Sequence, residues 1–104
     1  MATTTKALYR GAAATSNTTL YTVPNTSTTA VVTNILIANT AGSAGTFTLN
    51  IDSVALQSAS SVAANSTVYI DCKQVIPANA TPKIISGSAS ATTVNFHISG
   101  VEIS

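Results

Sequence analysis

The sequence predicts an all-β fold: a single antiparallel β-sandwich or jelly roll of about eight short strands. Three observations carry this. Apolar residues fall at alternate positions in several short segments, the two-residue period of a strand with one buried face. Thr, Val and Ile, which suit a pleated surface, dominate those segments. Clusters of Pro, Gly, Asn and Ser interrupt them every ~10–15 residues, as in sandwiches rather than in alternating strand–helix folds.

The elements follow in order. Ala7–Arg10 and Thr18–Val23 are short strand candidates, the second closed by Pro24-Asn25. In Thr28–Asn39, Val31, Thr33, Ile35 and Ile37 share one face, and Val32, Leu36 and Ala38 share the other. This strand is therefore expected to be buried on both sides. After the turn NTAGSAG (Asn39–Gly45), Gly45–Ile51 sets Phe47, Leu49 and Ile51 against Thr46, Thr48 and Asn50. Val54–Gln57 reads as a strand. A helix across Val54–Ala64 competes, on Val54, Leu56, Ala59, Val62 and Ala63, but its serines and weak periodicity favour strand plus loop. Ser66–Cys72 sets Val68, Ile70 and Cys72 against Thr67, Tyr69 and Asp71. PANATP (Pro77–Pro82) then leads to a strand over Lys83–Ser88.

In the last segment Val94, Phe96 and Ile98 alternate with Asn95, His97 and Ser99. The apolar phase then slips by one, to Val101 and Ile103, with Gly100 at the slip. A β-bulge at Ser99-Gly100 is predicted to absorb the extra residue and keep all five apolar side chains on the core.

Composition bounds what such a fold does. The 104 residues (10.5 kDa) make one domain, 1–104, with 1–6 read as a flexible N-terminal arm. Only 7% of residues are charged (Lys6, Arg10, Lys73 and Lys83 against Asp52, Asp71 and Glu102), where about 25% is usual. In their place stand 18 Thr, 13 Ser and 8 Asn. Hydrophobic residues still make up 45%, and mean hydropathy is +0.38, so this is polarity without charge. The alternation argues against a disordered Ser/Thr-rich stalk. A net charge of +1 from scattered cations leaves no basic patch for nucleic acid or for a membrane surface. The apolar run Ile35–Ala38 is far too short to span a bilayer. MATTTKALYR lacks the apolar core of a secretory leader. Cys72 is alone, so neither a disulfide nor a Cys/His zinc cluster is expected. The 25 Leu, Ile, Val and Phe residues, with no Trp, make a modest core that oligomerisation is expected to help bury.

Few residues invite chemistry. His97 is the one imidazole; it alternates with Phe96 and Ile98, and no nucleophile motif accompanies it, so it reads as a polar residue of the solvent face. Asp52, Asp71 and Glu102 lie far apart in sequence and read as solubilising or turn-capping groups rather than an acid–base pair. Cys72 shares the apolar phase of Val68 and Ile70 and reads as a small buried hydrophobe. No cofactor and no small-molecule substrate is expected. Tyr9, Tyr21 and Tyr69 are dispersed, so they signal no sugar-binding platform. The sequons at Asn17, Asn25, Asn65 and Asn79 are what so Ser/Thr-rich a chain produces by chance.

The order of strand motifs carries a resemblance. LYTVP (Leu20–Pro24) precedes TTAVVTNILIANT (Thr28–Thr40), which runs into a Gly/Ser/Ala turn. GTFTLNID (Gly45–Asp52), AANSTVYID (Ala63–Asp71) and VNFHISGVEIS (Val94–Ser104) follow. This arrangement resembles the small all-β structural proteins of tailed bacteriophage virions, among them capsid decoration (cement) proteins and tail- or neck-associated proteins. The resemblance covers the chain from Leu8 onward and rests on strand-and-turn patterns. It implies a non-enzymatic virion protein, with capsid decoration as the expected role. Its partners would be the major capsid protein and itself, as a homotrimer. Its place would be the capsid surface, after assembly in the host bacterial cytoplasm. A tail, neck or fibre-associated structural module, or a receptor- or glycan-binding module, is the alternative. Lys6, Leu8, Tyr9 and Arg10 are the candidate protein-interface residues, on an arm or edge strand that meets a neighbouring subunit.

Overall fold

The computed structural model describes residues 3–70, 73–81 and 83–104. It is all-β, with nine strands: β1 (Thr3–Ala12), β2 (Thr18–Thr22), β3 (Thr29–Asn39), β4 (Gly45–Ile51), β5 (Val54–Val62), β6 (Thr67–Ile70), β7 (Gln74–Ile76), β8 (Ile84–Ala89) and β9 (Val94–Ile103). They form two antiparallel sheets. One runs β1-β9-β3-β6, with β7 also paired to β3; the other runs β2-β8-β4-β5. The pairs nest: β4 meets β5, β3 meets β6 and β7, β2 meets β8, and β1 meets β9. Every chain-distant pair therefore encloses a chain-closer one.

Alternation places the core between the sheets. Val32, Ile35, Ile37, Val94, Phe96 and Ile98 come from one sheet, and Phe47, Leu49 and Ile85 from the other. The Phe47 and Phe96 rings meet edge-to-face across the gap, 6.3 Å apart at 71°, a favoured aromatic geometry. At one end of the sandwich the buried Asn39 holds the loops. Its Nδ2 donates to the Ser43, Val62 and Ala63 carbonyls at 2.9, 3.4 and 3.3 Å, and its Oδ1 accepts from the Ala41 N–H at 3.0 Å.

Four features differ from the sequence expectation. The first is the bulge. β9 runs without a slip, and the extra residues sit in its two neighbours: Leu8 in β1, between pairs Ala7–Ser99 and Tyr9–Ile98, and Thr33 in β3, between pairs Val32–Gly100 and Asn34–Ser99. Gly100 keeps an inward position because there is no room for a side chain. A Cβ there would lie 2.3 Å from the Val31 carbonyl oxygen and 2.8 Å from Leu8 Cδ1. Val101 and Ile103 consequently turn outward, and Glu102 takes the inward phase.

The second is β3. Its bulge shifts the phase, so Ala30, Val32, Ile35 and Ile37 are buried on one face while Val31, Leu36 and Ala38 are half-buried on the other. The third is β7, a strand the sequence does not announce, since three residues show no alternation. The fourth is β1, which begins at Thr3. Residues 3–6, expected as an arm, pair with Ile103–Gly100. β5 fills most of the window of the competing helix. Cys72 and Asp71 lie outside the described residues.

Candidate functional site

The outer face of the β1-β9-β3-β6 sheet is the surface that the sequence leaves least like ordinary solvent-facing protein. Register fixes its rows. Near the start of β3, Thr5, Val101, Val31 and Val75 stand side by side on successive strands, with Thr3, Ile103 and Thr29 in the next row. Further along, Arg10, His97, Leu36 and Tyr69 form another row. Val75 is 61% and Tyr69 71% exposed. Between these two halves, at the level of the paired bulges, Thr33, Asn34, Ser99 and Tyr69 line an open dish of about 630 Å³. The Thr33 hydroxyl donates to the Ser99 carbonyl at 3.1 Å.

Among the described residues, this face carries no carboxylate. Glu102 points inward from β9, and Asp52 lies in the β4–β5 turn of the other sheet, 3.2 Å from Lys83 Nζ. The face is thus an apolar strip set in threonines, with Arg10 and His97 at one end. The paired bulges lie between its two halves.

The candidate interface residues separate. β1 is an edge strand, as a neighbour-contacting segment requires. Arg10 is exposed on the outer face, while Leu8 is 7% exposed and belongs to the core. The Tyr9 hydroxyl donates to the Ala12 carbonyl at 2.9 Å. Lys6 Nζ lies 3.4 Å from Glu102 Oε2 and 6.0 Å from the Tyr21 ring centre. The Tyr21 hydroxyl donates to that same carboxylate. Burial, first, and then Glu102 as acceptor and as charge hold the Tyr21 phenol well above its ordinary pKa. This cluster of β1, β2 and β9 residues was missed in sequence because Glu102 falls in the expected polar phase.

The other candidates do not converge. His97 faces outward and Glu102 inward on one strand, and Asp52 belongs to the opposite sheet, so neither carboxylate stands behind the imidazole. Among the described residues, no group of three or more His, Cys, Asp or Glu side chains gathers as a metal site would. Tyr9, Tyr21 and Tyr69 do not share a face. Two sequons act as local turn chemistry. Asn25 Oδ1 accepts from the Ser27 N–H and the Thr28 hydroxyl at 2.9 and 2.8 Å, and Asn79 Oδ1 accepts from the Thr81 N–H at 3.0 Å.

Comparison with protein families, with curated proteins and with solved structures found no match.

Proposed function

We propose that this chain is a non-enzymatic structural protein of a bacteriophage virion that attaches to the capsid shell as a decoration protein. The observation that carries the reading is the outer face of the β1-β9-β3-β6 sheet. There Val31, Val75, Val101 and Ile103 stand among Thr3, Thr5 and Thr29, and no described residue of those rows is charged. Such a strip favours contact by shape, apolar burial and short hydrogen bonds, and its partner is another protein surface. The exposed edge of β1 adds backbone groups to the same end of the molecule.

The nested strand order supports the reading by analogy. We take it as a jelly roll, with β6 and β7 together as one interrupted edge strand; that architecture recurs in capsid and lectin domains, though a fold alone assigns no role. A homotrimer on a symmetric shell would turn a modest contact per copy into firm attachment, because later contacts form at high effective concentration.

The test mixes purified protein with undecorated phage heads and images the product. Density on the shell at symmetry-related positions is expected. Density confined to tail or neck would redirect the reading to the alternative structural role, and absence from the particle would end it.

A further inference from the structure

We propose that the dish at the paired bulges is a binding site for a neutral saccharide, with Tyr69 as its stacking platform. The argument begins with the backbone. β9 is flanked on both sides at the level of Ser99 by strands carrying an extra residue, Leu8 in β1 and Thr33 in β3. A bulge re-aims the side chains beside it. Here the result is a concavity of about 630 Å³ in a sheet face that alternation alone would leave flat. That volume falls within the ~300–1,000 Å³ of ordinary small-ligand sites.

The lining selects the ligand. Thr33, Asn34 and Ser99 offer hydroxyl and amide groups, and Tyr69 offers an aromatic ring that is 71% exposed. None of these four described residues carries a charge at neutral pH, so none of them compensates an ionic ligand. An exposed aromatic wall wants an apolar plane against it. Hydroxyls and an amide want a dense set of donors and acceptors at that plane's rim. A pyranose ring has both, with C–H faces and a hydroxyl edge. A purely apolar ligand would desolvate the Asn34 amide and the Ser99 hydroxyl without offering them a partner.

The site is independent of the virion reading: it belongs to the free chain, and its test needs no particle. The probes are maltose, cellobiose, lactose and N,N′-diacetylchitobiose, titrated into isotopically labelled protein and followed by amide chemical shifts. At least one is expected to bind with a Kd of about 1 mM, shifting the amides of Thr33, Asn34, Tyr69 and Ser99. Tyr69→Ala is expected to weaken binding about tenfold, a loss of ~1.4 kcal/mol, while Tyr69→Phe keeps the ring and most of the affinity. Val54→Ala, an exposed change on the opposite sheet, serves as the control for surface alteration. Shifts that never appear with the four sugars, shifts that map to another face, or binding that survives Tyr69→Ala would each overturn the assignment.

Discussion

Tyr21 of β2 and Glu102 of β9 join the two sheets through one hydrogen bond, with the Tyr21 hydroxyl donating to Glu102 Oε2. Lys6 of β1 reaches the same carboxylate, so three strands meet on one group. Burial first, and then Glu102 as acceptor and as charge, favour the protonated phenol and raise the Tyr21 pKa.

Stability at alkaline pH follows from that preference. A group whose pKa is higher in the folded state contributes fully below its unfolded value and loses that contribution as pH rises. The unfolded phenol titrates near 10.0. Wild-type protein is expected to hold its Tyr21-dependent stability through pH 9 and to lose it progressively above pH 10. Tyr21→Phe is expected to cost about 1–2 kcal/mol at pH 7, with the gap to wild type closing as pH rises above 10. Urea melts of both proteins at pH 7, 9 and 11 measure this. A gap that stays constant with pH would disprove the coupling.

Backbone conformation gives opposite outcomes at two kinds of position. Ser53 (φ 61°) in the two-residue β4–β5 turn and Ala59 (φ 47°) within β5 are left-handed without being glycine. Ser53→Gly and Ala59→Gly are each expected to stabilise by about 0.5–1 kcal/mol, because the left-handed region costs an L-residue roughly 1–2 kcal/mol and glycine's extra unfolded-state freedom returns part of that. Gly100→Ala is expected to destabilise by more than ~2 kcal/mol, since its Cβ would meet the Val31 carbonyl oxygen at 2.3 Å. Thermal melts order the variants: both glycine substitutions above wild type, Gly100→Ala well below.

Asn39 predicts a local rather than a diffuse effect. Its side chain serves three carbonyls and one N–H from two loops, and the residue is 3% exposed. Asn39→Ala leaves the buried Val62 carbonyl and the part-buried Ser43 and Ala63 carbonyls without their side-chain donor, at a cost of about 1–3 kcal/mol. Hydrogen exchange is expected to quicken first at Ala41 and Asn65, while Ile35 and Phe96 stay protected. Uniform acceleration across the sandwich would show that Asn39 is only one more core residue.

The last strand shows why some of this was legible and some was not. Alternation in Val94–Ile98 identified the strand and its buried face, because side-chain direction in a strand is a local property. The slip at Gly100 was visible too. Read from one strand its cause points to β9, yet the extra residues are Leu8 and Thr33, and a register between distant strands leaves no mark on either one alone. The alternation of β9 alone points Glu102 to solvent for the same reason. Lys6 and Tyr21, its partners, come from strands 96 and 81 residues away in the chain. The Tyr69 dish is likewise a product of pairing: Thr33, Tyr69 and Ser99 are uninformative until β3, β6 and β9 stand side by side.

The charge-poor face gives the prediction nearest to function. Ion-pair contacts between exposed groups weaken as salt shortens the Debye length from about 8 Å at 0.15 M to about 3 Å at 1 M. Contacts built on Val31, Val75, Val101 and Ile103 among threonines have little such attraction to lose, and apolar burial does not depend on it. Retention on phage heads is therefore expected to be the same at 0.15 M and 1 M NaCl. Val75→Asp is expected to release the protein, because it sets an unpaired carboxylate against a surface that must give up its water. Arg10→Ala, at the far end of the sheet, is expected to leave retention intact. Co-sedimentation of heads with each variant at both salt concentrations reads all three outcomes. Release of wild-type protein by salt, or loss on Arg10→Ala with Val75→Asp still bound, would place the contact on charged groups and away from this strip.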